Sequence, residues 1–176
     1  MRLSTICFLL TLIACNQTAI NKERLFDVPA YFKNEMSRVD SHFTKLHKLF
    51  VYDQKVDSQI VDSIVLSQEL KDFLALDLNK AAYVGAFTQS ESKLDSNTKL
   101  IQYQSTQKGI DLKSFEIVYK NEEVLKMAFH FSTSNNLYES GKDLLYETNI
   151  GYEINGFQKT RFKDPVEYSI QVKYLP

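Results

Sequence analysis

The chain has 176 residues, with 12 Phe, 10 Tyr, no Trp, 5 Gly and 3 Pro, and is 44% hydrophobic. That profile predicts one globular domain large enough to bury its own core, and it excludes collagen-like and low-complexity classes. Lys and Arg number 21 against 22 Asp and Glu, a net charge of −1, so there is no basic field of the kind that draws nucleic acid.

Residues 1–14 read as a signal peptide. Arg2 supplies a positive n-region, and the mostly apolar run from Ile6 to Ile13 is too short to span a bilayer. It ends in Leu12-Ile13-Ala14-Cys15, which resembles a bacterial lipobox. That resemblance implies diacylglycerol on the Cys15 thiol and cleavage before Cys15. The cysteine arithmetic agrees: Cys7 leaves with the signal, so the mature chain keeps one thiol and cannot form an internal disulfide. Two or more acyl chains anchor stably where one is marginal. Asn16, rather than Asp, follows the cysteine, and by analogy with lipoprotein sorting this points away from retention in an inner membrane. The expected address is the cell envelope, with the outer membrane preferred. Residues 15–26 read as a lipidated polar tether, and 27–176 as one domain.

Within that domain, Asp27 as N-cap and Pro29 in the first turn predict a helix over 29–43, with Phe32, Met36, Val39 and Phe43 on one stripe. Two strands, 46–52 and 55–61, are expected around a hairpin turn at Asp53-Gln54; the competing reading continues the helix through Leu46 and Phe50. A second amphipathic helix is expected between Ser63 and Asn79, on Leu66, Leu70, Phe73, Leu74 and Leu78, followed by a polar loop over 88–97. From residue 98 the apolar period becomes two. Ile101 with Tyr103, Phe115 with Ile117 and Tyr119, Leu125 with Met127, Phe129 and Phe131, then Leu144 with Tyr146, Tyr152 with Ile154, and Tyr168 through Tyr174 each share a strand face. Asn121-Glu122, Ser134 to Asn136, Gly141, Asn155-Gly156 and Asp164-Pro165 are expected at turns or bends, with Gly156 alternatively inside a strand as a bulge. Alternating strands imply an antiparallel sheet with one wet face. The expected fold class is therefore α+β, a curved antiparallel sheet with two amphipathic helices packed on one face.

Chemistry is sparse. His42, His47 and His130 show no metal-ligand spacing, and no His-Glu-x-x-His, Gly-rich phosphate loop or Gly-x-Ser-x-Gly elbow occurs. No metal, cofactor or catalytic residue is therefore expected. Asp77, Asn79, Lys80 and Tyr83, with Asn136 and Tyr138, form the one polar constellation. Its members read either as capping and turn groups or as ligand or partner contacts.

Three stretches carry a resemblance to small uncharacterised lipoproteins of Bacteroidota. They are the lipobox, the segment from Glu69 through Asp77-Leu78-Asn79-Lys80-Ala81-Ala82-Tyr83, and Asn135-Asn136-Leu137-Tyr138 through Tyr152-Glu153-Ile154-Asn155-Gly156-Phe157-Gln158-Lys159. Where that group tends to carry Trp, this chain has Tyr83. The resemblance implies lineage and an envelope address and transfers no activity. The expected role is a non-enzymatic binding or interaction domain, with the membrane and an envelope protein or an apolar ligand as partners and no nucleic acid. The alternative is a half-barrel carrier or chaperone sheltering an acyl chain between sheet and helices.

Overall fold

The computed structural model describes residues 24–62 and 65–176. The signal peptide, Cys15 and the tether up to residue 23 lie outside the described residues, as do Ser63 and Ile64. Helix α1 (Val28–His42) begins where the cap signal put it, with Asp27 Oδ1 accepting from Ala30 N at 3.1 Å. Strands β1 (Lys45–Tyr52) and β2 (Lys55–Val61) follow. Their turn, Asp53-Gln54, has both φ values in the left-handed region, +46° and +66°, so the tight hairpin forms without glycine.

No continuous second helix exists among the described residues. The expected helix between Ser63 and Asn79 is replaced by two single turns, α2 (Leu66–Glu69) and α3 (Lys71–Leu74), which break at Leu70 with ψ of 16°. Leu66, Leu70, Phe73, Leu76 and Leu78 are all buried. Leu76 and Leu78 are two apart and do not share a helix face, so burying both requires the chain to leave the helix. A 3₁₀ turn, Ala81–Tyr83, closes the segment.

Seven strands then run as a meander: β3 (Phe87–Lys93), β4 (Thr98–Ser105), β5 (Leu112–Lys120), β6 (Glu123–Ser134), β7 (Tyr138–Glu147), β8 (Gly151–Thr160) and β9 (Lys163–Leu175). The last strand pairs with β1. The result is one open antiparallel sheet of nine strands, ordered β2-β1-β9-β8-β7-β6-β5-β4-β3. Strand β3 replaces the loop expected over 88–97. It is an edge strand with nearly every residue exposed, so it carries no apolar alternation to read, and its polar side chains discourage pairing with a further chain.

Gly141 and Asp164-Pro165, expected at turns or bends, lie inside strands, and Gly156 takes its alternative place inside a strand, with the register shift two residues further on at Gln158/Thr160. A Cβ on Gly141 would sit 2.5 Å from the Phe157 ring, and one on Gly156 would sit 2.3 Å from the Tyr168 ring; each glycine is the seat of an aromatic ring from the next strand. Pro165 falls where β9 has run past the end of β1, so no hydrogen bond to β1 is lost there.

One sheet face holds the core. Phe32 of α1 meets Tyr146 at 4.8 Å between ring centroids, and Phe73 of α3 meets Tyr152 at 6.0 Å and Phe129 at 6.5 Å. Tyr103 stacks on Phe115 at 4.1 Å, and Phe115 on Phe129 at 5.9 Å. A charged group sits inside this face. Glu35, 6% exposed, accepts from Arg38 Nε at 2.8 Å, from Arg38 Nη2 and from the Tyr146 hydroxyl. Gly151 joins β7 to β8 at φ +141°, and a Cβ there would lie 1.9 Å from the Val172 carbonyl oxygen. Gly151→Ala is expected to cost about 3 kcal/mol or more, from backbone strain plus displacement of β9. Urea unfolding would read it, and a change below about 0.5 kcal/mol would refute the close approach.

Candidate functional site

On the face away from those ring contacts, alternate residues of six consecutive strands turn polar groups outward. The register aligns Thr88, Gln104, Ser114, His130, Asp143 and Asn155 in one row from β3 to β8. Neighbours in such a row have Cβ atoms about 4.5–5.5 Å apart. The row lies in a groove of about 610 Å³, lined also by Ser90, Gln102, Glu116, Lys126 and Glu153, with Ala128 and Leu145 as its apolar floor. Six adjacent strands span about 24 Å, so the groove runs across the strands rather than along one of them.

The groove is hydrogen-bonded within itself but not saturated. His130 Nδ1 donates to Asp143 Oδ1 at 2.6 Å, which leaves Nε2 as the ring atom available to a ligand. Asn155 Nδ2 donates to Glu153 Oε1 at 2.6 Å, and Gln104 Nε2 to the Lys113 carbonyl at 3.1 Å. Each amide keeps a further donor and its acceptor oxygen. Three carboxylates, Glu116, Asp143 and Glu153, face one ammonium, Lys126, which lies 3.9 Å from Glu147.

Ser114, His130 and Asp143 are side by side on three strands, the residue types of a nucleophile, a base and its orienter. No hydrogen bond joins Ser114 to His130, whose ring is bonded to Asp143.

The structure divides the constellation singled out in the sequence. Asp77 Oδ1 accepts from Asn79 N at 2.8 Å, a local turn bond. Asn79 accepts from Leu25 N at 2.8 Å and donates to the Leu25 carbonyl at 3.0 Å, fastening the start of the domain to this segment. Lys80 Nζ sits 4.1 Å from the centroid of the Tyr83 ring. Tyr83 is buried and donates to Asp111 Oδ1 at 3.1 Å; burial, with Asp111 adding to it, pushes its phenol up to about 12. These four hold the chain together. Asn136 lies in the exposed β6–β7 turn, where Asn135 Oδ1 caps Leu137 N and Tyr138 N. Tyr138 lines a second cavity of about 360 Å³ with Phe131, Lys142 and Tyr168. Asp111, the partner of Tyr83, borders that cavity too.

The histidines stay apart: His42 Nδ1 is 2.8 Å from the Arg38 carbonyl, and His47 Nε2 is 2.9 Å from Ser58 Oγ. Among the described residues no three His, Cys, Asp or Glu side chains gather closely enough to hold a metal ion, and no helix is long and apolar enough to cross a membrane. The polar row escaped sequence reasoning. Outward alternation at His130 was legible, but its neighbours come from strands whose register only pairing sets. No protein-family model matches the chain, and no curated protein matches it significantly.

Proposed function

We propose that this chain is a lipid-anchored protein of the bacterial cell envelope, held to the outer membrane through Cys15, that binds a polar ligand along the row from Thr88 to Asn155. In this reading α1 and the segment 66–83 act together as the cover of one face of a curved sheet and leave the other face to the ligand. The observation that carries the proposal is the groove of about 610 Å³, which falls within the range of small-molecule sites and is walled by hydroxyl, amide and carboxylate groups. The lipobox and the single thiol of the mature chain support the anchor. An acyl-chain carrier is supported less, because rings of Phe32, Phe73, Phe129 and Tyr146 occupy the space where sheet and helices meet.

The test is native mass spectrometry of the mature chain carrying Cys15→Ser, purified gently from an envelope extract, beside the same chain with His130→Ala and Asp143→Ala. Both positions are exposed, so the fold is expected to tolerate the changes within about 0.5 kcal/mol. The expected result is a polar adduct on the parent that the double variant loses. A fatty-acid adduct retained by both would instead support the carrier.

A further inference from the structure

Strands β6 to β9 run past their neighbours at one end of the sheet. The last β1–β9 partners are Tyr52 and Tyr168, and the last β5–β6 partners are Leu112 and Phe131. Beyond them β9 continues through residues 163–167, about 17 Å of strand, and β6 and β7 pair on to Ser134 and Glu139. The result is a four-stranded tongue. Its two hairpin tips abut, with Arg161 N donating to the Leu137 carbonyl at 3.0 Å.

Each tip exposes one large apolar side chain beside polar neighbours. Phe162 is 86% exposed and Leu137 61% exposed. The turns at Asp53-Gln54 and Asn121-Glu122 use the polar residues that turn geometry favours; the β8–β9 turn uses Arg161-Phe162. The Arg161 guanidinium carbon is 5.8 Å from the Phe162 ring centroid. Lys159, Arg161 and Lys163 place three cations within five residues of sequence about Phe162, against Glu139 and Asp164. An exposed aromatic flanked in sequence by Lys and Arg is the composition that sits at an anionic membrane interface.

We propose that this tongue tip is a membrane-contact site that rests Phe162 and Leu137 in an anionic bilayer. The inference builds on the lipid-anchored reading. Eight residues lie between Cys15 and Arg24, a reach of up to about 30 Å. One ring and three cations hold a free protein weakly. An anchor makes the same contact intramolecular and raises its effective concentration. The tip then orients the domain relative to the membrane.

The chain has no Trp, so Phe162→Trp creates a single fluorescent reporter, with Val56→Trp on the exposed edge strand β2 as its control. The lipidated chain is reconstituted in vesicles of phosphatidylethanolamine and phosphatidylglycerol, and flotation reports anchoring independently. The expected result is blue-shifted emission at position 162, quenched by brominated acyl chains and lost on adding Arg161→Glu and Lys163→Glu, with water-like emission at position 56. Water-like emission at 162 in a chain that floats overturns the tip contact and leaves the anchor standing. If the chain does not float, the anchor reading fails. The tip is then read by adding excess vesicles to the Cys15→Ser, Phe162→Trp chain, where an absent shift overturns it. A shift without lipid that grows with protein concentration assigns the tip to a second copy and also overturns the proposal.

Discussion

Glu35→Ala is expected to destabilise the protein by about 2–3 kcal/mol, because a buried phenol loses its acceptor and a partly exposed guanidinium loses its ion pair. The carboxylate accepts two bonds from Arg38 and one from Tyr146, whose ring is fully buried. Removing it leaves a phenol without its acceptor and a guanidinium whose other side-chain partner is Asn149. Ordinary domains have about 5–15 kcal/mol in total, so the loss is a large share. Glu35→Gln keeps an acceptor for Tyr146 and is expected to fall between parent and Glu35→Ala. Adding Arg38→Met to Glu35→Ala is expected to restore part of the loss, because no unpaired cation then remains. Urea unfolding of the four chains reads the series. A cost under about 1 kcal/mol for Glu35→Ala would mean that water reaches the cluster.

Alkali is expected to unfold the sheet between pH 10 and about 12. Burial raises the phenols of Tyr146, Tyr152 and Tyr174 well above their ordinary value of 10.0; hydrogen bonds to Glu35 and Glu69 reinforce it for the first two. Burial also pushes Tyr31 up to about 12. A phenol whose folded value is raised stabilises the fold fully below pH 10, where both states are protonated. Above that the unfolded chain ionises first, and stability falls as pH rises toward the folded value. Each strongly raised phenol removes about 1.4 kcal/mol per pH unit, so the three buried ones together remove about 4. Tyrosinate absorbance near 295 nm and far-ultraviolet circular dichroism would follow the transition. The expected result is that ionisation of these groups coincides with loss of the sheet signal. Ionisation of every tyrosine near pH 10 with the sheet intact would show that the phenols are open to water.

The tyrosines behind the second effect were legible as core residues, but the partner of Glu35 was not. Glu35 sits on α1 three residues after Phe32 and four before Val39, at the spacing of the apolar stripe, where the sequence names no partner for a carboxylate. Its burial follows from where α1 crosses the sheet, above Tyr146, which is 111 residues away in the chain. The constellation from Asp77 to Tyr83 shows the converse. Asn and Asp satisfy nearby backbone groups readily, and the local turn bond from Asp77 to Asn79 was legible. The fastening of Asn79 to Leu25 was not, because that partner is 54 residues away.

Local chemistry determined a good part of this protein. Capping at Asp27 set the start of α1, and period-two alternation set most of β4 to β9 and which side chains face the core. These features depend on residues within a few positions of one another, so the sequence alone carries them. Tertiary structure decided the rest. It broke the segment 66–78 into two turns, because Leu76 and Leu78 both had to reach the core. It drew the polar residues 87–93 into an edge strand, through hydrogen bonds to β4 that need no apolar signal. It also aligned Thr88 through Asn155 into one groove, since neighbours in that row come from different strands and only the pairing register brings them together.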